Sequence, residues 1–191
     1  MFTGIVESQG RLRNLAKGIL EIELAKTIGR LKIGSSLAVN GVCLTVIGQN
    51  QNHAFFNVAA ETLRRTTFGS LKKNDRLNLE RPLSWKGRVE GHFVLGHVDG
   101  VGVVHKVVTE GKGRNFLVAF ASRLRPTLVE KGSVAVNGVS LTIGKVRSTA
   151  FWIHVIPHTL RVTNLGSLSV GTHVNLEADL LAKLALKRRR D

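Results

Sequence analysis

Two short stretches set the same polar side chains at the same spacing. Residues 42–46 read VCLTV, with Cys43 and Thr45 two apart, and residues 139–143 read VSLTI, with Ser140 and Thr142 two apart. In an extended strand alternate side chains share a face, so Val42, Leu44 and Val46 point one way while Cys43, Thr45 and Ile47 point the other. The second copy sends Val139, Leu141 and Ile143 to the core and Ser140 and Thr142 to the opposite side. Small polar residues on one solvated strand face are commonplace, and a single copy would carry no functional weight. Here the phrase is written twice, each time after an Asn-Gly pair and before the same helical punctuation. That duplication implies two equivalent ligand pockets, which differ mainly in a thiol at position 43 and a hydroxyl at position 140.

The elements that must carry these side chains are repeated as well. Residues 36–80 laid over 133–177 without a gap give 19 identities in 45 pairs, among them TLR, GSL and the NLE of 78–80 and 175–177. GIVESQG from Gly4 lies over GHVDGVG from Gly96 at an offset of 92 rather than 97, so the second copy holds five extra residues around TEGKGRN. Two homologous units follow, 1–90 and 91–178, with 179–191 left over. Neither the period nor the content suits a solenoid. Short apolar runs (SLAV, VCLTVI, AFFNVA, then SVAV, VSLTI, FWIHVI) are broken by Gly, Asn or Asp at the spacing of an all-β sandwich or closed barrel. Asn40-Gly41 and Asn137-Gly138 predict tight hairpins, because the pair tolerates positive φ. Asp179 predicts the cap of a helix through LLAKLALKRRR, with Leu180, Leu181, Leu184 and Ala185 on one face.

Composition narrows the setting. The 191 residues are 43% hydrophobic and 21% charged, an ordinary globular balance. A single cysteine rules out an intrachain disulfide and supplies too few sulfurs for a structural zinc site, which fits a cytoplasmic protein. Neither a signal peptide nor a membrane-spanning apolar run is visible. The net charge of +15 raises the question of polyanions, yet the basic residues are dispersed apart from Lys187-Arg188-Arg189-Arg190, which reads as a solvated tail. With no tyrosine and few other aromatics, the stacking platforms of single-strand nucleic-acid binders have little to draw on.

MFTGIV, VNGVCLTV, GHFVLGHVDG (91–100), VNGVSLTI, IPHTL (156–160) and VNLEAD (174–179) together resemble the riboflavin synthase α-chain family, which includes the lumazine proteins, over nearly the whole chain. The resemblance implies two six-stranded Greek-key β-barrels and a C-terminal helix, assembled as a homotrimer in which the N-terminal barrel of one subunit faces the C-terminal barrel of the next. It implies a dismutation in which two molecules of 6,7-dimethyl-8-ribityllumazine exchange a four-carbon unit, giving riboflavin and 5-amino-6-(D-ribitylamino)uracil, the last step of riboflavin biosynthesis, with no cofactor and no metal. Carried over by motif, one pocket is formed by Gly4, Ile5 and Val6, the Cys43, Leu44 and Thr45 strand, and Asn57, Val58, Ala59, Ala60, Glu61 and Thr62, and Ser36 is implied as a further binding residue. The other takes Gly96, His97 and Val98, then Lys131, Ser140, Leu141 and Thr142, and Val155, Ile156, Pro157, His158, Thr159 and Leu160.

The resemblance also implies roles. A proton must leave the C7 methyl of one lumazine and a nucleophile must add at C7 of the other. Cys43 is the nucleophile candidate, although an ordinary thiol is mostly un-ionised at neutral pH and needs activation. His97 is the proton-exchange candidate, with His92 the weaker claimant. Ser140, with Thr142, would orient the acceptor and pass protons. Lys131 and Asp179 are expected as polar anchors, and Phe2, at an exposed start of the first barrel, as a cover for the bound ring. Two alternatives stand beside the enzyme: a noncatalytic lumazine or flavin carrier of the same fold, and a basic barrel that binds RNA, the latter supported by net charge alone. The charge also suggests transient association with an acidic lumazine synthase.

Overall fold

The computed structural model describes residues 1–187; Arg188, Arg189 and Arg190 of the expected tail lie outside them. The duplicated sequence folds as two closed barrels. In the first, β1 (Ser8–Ala16), β2 (Ile19–Glu23), β3 (Ser36–Val39), β4 (Val42–Asn50), β5 (His53–Asn57) and β6 (Arg76–Glu80) close in the order β1-β2-β5-β4-β3-β6. In the second, β7 (Gly100–Glu110), β8 (Gly113–Ala119), β9 (Ser133–Val136), β10 (Val139–Val146), β11 (Ala150–Val155) and β12 (His173–Ala178) close in the order β10-β11-β8-β7-β12-β9, which is the same Greek key. The extra residues of the second copy lengthen the β7–β8 hairpin. Between β5 and β6 lies α1 (Ala60–Arg65), and α2 (Pro157–Val162) takes the matching place before β12. None of the described helices is long and apolar enough to cross a membrane.

Alternation decides what fills each barrel. Leu37, Val39, Val42, Leu44 and Val46 are buried inside the first with Phe56 and Phe68, and Val134, Val136, Val139 and Ile143 inside the second with Phe116 and Phe151. The two Asn-Gly turns form as expected, with φ near +46 and +76 at Asn40-Gly41 and +47 and +77 at Asn137-Gly138. They meet back to back: a Cβ on Gly41 would sit 2.7 Å from the Gly138 nitrogen, and one on Gly138 equally close to that of Gly41. A pseudo-twofold axis therefore passes between the turns, and the absence of side chains lets the two backbones touch there.

Around that axis the barrels are joined by polar groups. Asn78 of β6 donates through Nδ2 to the Asn137 carbonyl (2.9 Å), and Asn175 of β12 returns the contact to the Asn40 carbonyl (2.9 Å). Asn40 Oδ1 accepts from the Asn78 N–H and Asn137 Oδ1 from the Asn175 N–H, so each turn is tied to the closing strand of its own barrel. On another part of the seam Phe2, Ala38, Val94 and Ala135 form a small apolar cluster, with Phe2 bridged to Val94 by hydrogen bonds in both directions. Phe2 is 0% exposed. The expectation that it stands free to cover a ligand is corrected: residue 2 is the first to cross between the barrels, and its ring stays dry by packing into that seam.

The final segment follows the sequence reading over its described part. Asp179 accepts the N–H of Leu181 (2.9 Å) and so caps α3 (Leu180–Lys187). Lys183, one turn on, pairs with Asp99 (2.5 Å) and ties the helix to the start of β7. Leu181 and Leu184 remain exposed.

Candidate functional site

Each polar strand sits beside a segment from the other half of the chain. The Gly4 carbonyl accepts the N–H of Ser140 (2.8 Å), and the Gly96 carbonyl accepts the N–H of Cys43 (2.9 Å). Val6 packs against the core of the second barrel and Val98 against that of the first. This corrects the pairing expected from linear order, in which Gly4, Ile5 and Val6 went with Cys43, and Gly96, His97 and Val98 with Ser140. The lead-in segments are exchanged between the barrels, and chain order alone could not reveal it because both repeats carry the same motif at the same local position.

One pocket wall is thus Cys43 and Thr45 of β4 with Gly96, His97 and Val98. Antiparallel pairing of Val46 with Phe56 brings exposed Thr45 of β4 next to exposed Asn57, the last residue of β5, after which Val58, Ala59, Ala60, Glu61 and Thr62 lead into α1. The other wall is Ser140 and Thr142 of β10 with Gly4, Ile5 and Val6, next to Val155, Ile156, Pro157, His158, Thr159 and Leu160 at the start of α2. Leu44 is buried and Leu141 is packed on the second core, so both act from behind the polar face. Exposed apolar side chains edge the pockets: Ile5 is 42% exposed and Ile156 62%, with Phe93 and Ile47 also open.

The glycines are obligatory. A Cβ on Gly96 would fall 2.5 Å from Cys43 Cβ, and one on Gly4 2.7 Å from Ser140 Cβ, at φ of +78 and +76. No side chain stands between the crossing backbone and the polar strand, so backbone N–H and C=O groups are left to edge the pocket.

His92 is the largest revision among the site residues. Its Nδ1 lies 2.7 Å from Ser140 Oγ, it is 8% exposed, and its Nε2 is a buried polar atom without a partner among the described residues. Burial lowers its pKa, opposed by attraction to Asp179, so at neutral pH the imidazole is uncharged and able to exchange a proton with the hydroxyl. His97 lies exposed one residue past Gly96, beside the thiol pocket. The two pockets therefore differ beyond thiol and hydroxyl: one has an open histidine, the other a buried one bonded to its serine. The sequence hid this because the matched lead-in phrases begin at Gly4 and Gly96, so His92 lies outside the repeated pattern.

Other expected residues fall in different places. Lys131 is an exposed residue in the turn before β9, with its N–H on the Ile143 carbonyl. Asp179 is engaged as the cap of α3. Ser36 and Ile5 line a concavity of about 600 Å3, whose walls also include Arg30, Arg81 and Arg88 but neither Cys43 nor Ser140. Among the described residues no group of three or more His, Cys, Asp or Glu could hold a metal ion.

The family model for the lumazine binding domain matches this chain twice, over residues 3–82 and 95–179. The chain belongs to the riboflavin synthase family. Riboflavin synthase of Actinobacillus pleuropneumoniae is 38% identical over 96% of this chain and 87% of that protein, and those of Bacillus subtilis (37%, 96% and 87%) and Escherichia coli (37%, 94% and 87%) are similar to the same extent. Among solved structures, LumP complexed with 6,7-dimethyl-8-(1'-D-ribityl) lumazine superposes with a TM-score of 0.85 at 25% identity, covering 93% of this chain and 99% of that one. LumP complexed with riboflavin gives 0.86 at 26%, with the same coverage. Both halves of the family's duplicated domain are present here.

Proposed function

We infer that this protein is a riboflavin synthase, which converts two molecules of 6,7-dimethyl-8-ribityllumazine into riboflavin and 5-amino-6-(D-ribitylamino)uracil. The observation that carries the reading is the pair of quasi-equivalent walls, each a polar strand crossed by a glycine from the other repeat, in a chain 37–38% identical to riboflavin synthases. A reaction between two copies of one molecule needs two such pockets. Holding the reactants together converts a bimolecular encounter into a positioned one, worth up to about 7–11 kcal/mol of barrier in model reactions.

We assign the roles as follows. Cys43 with His97 serves one lumazine and Ser140 with His92 the other. The His92–Ser140 pair, hydrogen-bonded and with its imidazole buried, handles a proton of the lumazine it holds, while Cys43 is the candidate for addition at C7. Thr45 and Thr142 face the ribityl chains. The exposed Ile5, Phe93 and Ile156 leave the Ser140 pocket open on a single chain, and the opposing barrel of another subunit in a homotrimer closes it. The setting is the cytoplasm, and the partner for transient association is an acidic lumazine synthase.

Incubation of the pure protein with 6,7-dimethyl-8-ribityllumazine alone will yield riboflavin at half the molar amount of substrate consumed. Tight binding without turnover would instead match a noncatalytic lumazine or flavin carrier of the same fold. Ser140→Ala will lower kcat by about 10²-fold or more, the range for losing a positioned proton-transfer group. His92→Ala will do the same, and the double variant will add little, because the two act as one unit. Fully additive losses in that cycle would show that the pair does not work together.

A further inference from the structure

The crossing segments that wall the two pockets are each held by a buried carboxylate on a closing strand. Glu80, the last residue of β6, accepts the Thr3 N–H (2.6 Å), the Thr3 hydroxyl (2.9 Å) and the Gly4 N–H (3.0 Å). Glu177 of β12 accepts the N–H groups of Leu95 (2.8 Å) and Gly96 (3.0 Å). In each case the next polar atom of the same backbone is the glycine carbonyl that bonds Ser140 or Cys43. Carboxylate, glycine and site residue are thus joined in series. We propose that Glu80 and Glu177 are positioning residues, each gripping the segment that forms a wall of the other barrel's pocket. The proposal rests on reading those pockets as the ribityllumazine sites.

The chemistry of the grip is specific. The two adjacent backbone N–H groups each meet a separate oxygen, and a carboxylate is the side chain that offers two acceptor oxygens and no donor. An amide in its place would turn its own NH2 toward one of the donors. Holding a charge there is unfavourable to the fold: burial raises the pKa of both groups, and that of Glu177 rises from 4.5 to about 7. Around Glu177, Lys183 of α3 and the two N–H donors oppose the rise, and Asp99 at the start of β7 adds to it. Glu7 adds to it at Glu80. Because the native pKa of Glu177 lies above the unfolded one, its contribution to stability is greatest below about 4.5 and is lost as pH rises to about 7. The grip itself follows the opposite course, since the anion is the better acceptor for two donors. A stability-neutral core would not keep such a group, whereas a site that must fix its wall at neutral pH would.

Two measurements on the full chain test this. In wild-type protein the backbone amide proton shifts of Leu95 and Gly96 will titrate together with a midpoint near 7, while those of Thr3 and Gly4 report Glu80 separately. In steady-state assays with 6,7-dimethyl-8-ribityllumazine, wild type will lose activity below about pH 7, and Glu177→Gln will raise KM by about 10²-fold, the scale of a misplaced wall, and will lack that acid limb. Glu80→Gln will raise KM while keeping that limb. Amides of Leu95 and Gly96 that exchange with solvent as fast as free amides in wild type would overturn the proposal, and that measurement needs no variant to fold. So would a folded Glu177→Gln protein with wild-type KM and pH profile. If wild type neither binds nor converts the lumazine, the functional reading fails while the amide exchange still decides the grip.

Discussion

Gly96→Ala will abolish most of the activity and loosen the two barrels from each other, while Gly34→Ala will do neither. Both glycines have positive φ, +78 and +85, so both substitutions impose the same backbone strain of about 1–2 kcal/mol. Around Gly34 nothing lies within 4 Å of the added methyl. At Gly96 the methyl would meet Cys43 at Cβ (2.5 Å), N (2.7 Å) and Cα (3.0 Å). Two of those atoms belong to the backbone of β4, which its pairing with β3 and β5 holds in place. The crossing segment must therefore move, which breaks the bond from the Cys43 N–H to the Gly96 carbonyl and swings His97 away from the thiol. Overpacking of this kind costs about 1–3 kcal/mol beyond the strain. A displacement near 1 Å at the pocket wall lowers kcat/KM by about 10²-fold. Urea denaturation and steady-state kinetics on the two variants decide the matter, and equal behaviour would mean that the crossing segment is not a wall of the site. Gly4→Ala will act likewise at Ser140, where the methyl would fall 2.7 Å from both Cβ and the backbone nitrogen.

The fold was legible in the sequence to a useful depth, and the reason is the duplication. Two copies of one pattern display strand alternation, the Asn-Gly turns and the helical stop twice each, so that accidents cancel. Both barrels, the strands from 36 to 57 and from 133 to 155, and the capped helix after Asp179 formed as the pattern required. Duplication also concealed something. Because the lead-in motifs of the repeats are alike, nothing local says whether Gly4 lies on Cys43 or on Ser140; that choice is made by the docking of whole barrels. Phe2 was misread for the same reason, since a residue at the chain start reads as solvent-exposed until a second domain is packed over it. His92 is hard to single out because it lies upstream of the matched lead-in phrases. The polar residues of the NLE phrase, Asn78 with Glu80 and Asn175 with Glu177, were visible as repeats but not as functional residues. Their signal was that polar groups two apart on a closing strand recur in both halves, which a solvated face does not demand. They lie instead on the face where the barrels meet.

That junction supports a second large effect. Asn78→Ala will destabilise the protein by about 3 kcal/mol, well beyond the usual result of trimming one polar side chain. Asn78 is 2% exposed and satisfies three partners at once: its Nδ2 serves the Asn137 carbonyl and Asn164 Oδ1 (both 2.9 Å), and its Oδ1 accepts the Asn164 N–H (2.7 Å). Truncation strands a backbone carbonyl and a backbone N–H in a dry seam, at about 1–3 kcal/mol for each buried group left unpaired. Asn78→Asp, nearly isosteric, will be worse, because it keeps the acceptor, loses both donors and buries a charge. Asn175 holds the mirror position, donating to the Asn40 carbonyl and accepting the Thr67 N–H (2.8 Å). The repeats differ at this point: Asn164, whose counterpart in the first repeat is Thr67, adds bonds to Asn40 Oδ1 and the Arg76 carbonyl (both 3.0 Å), so the Asn78 half of the network is the more heavily tied. Asn175→Ala will therefore cost less than Asn78→Ala. The double variant will fall short of the sum, since residues of one network couple. Each barrel keeps its own core, so loss of the junction should show as two overlapping urea transitions in place of one. A single sharp transition with additive losses would mean that the barrels are held together chiefly by the apolar cluster at Phe2 and the crossing segments.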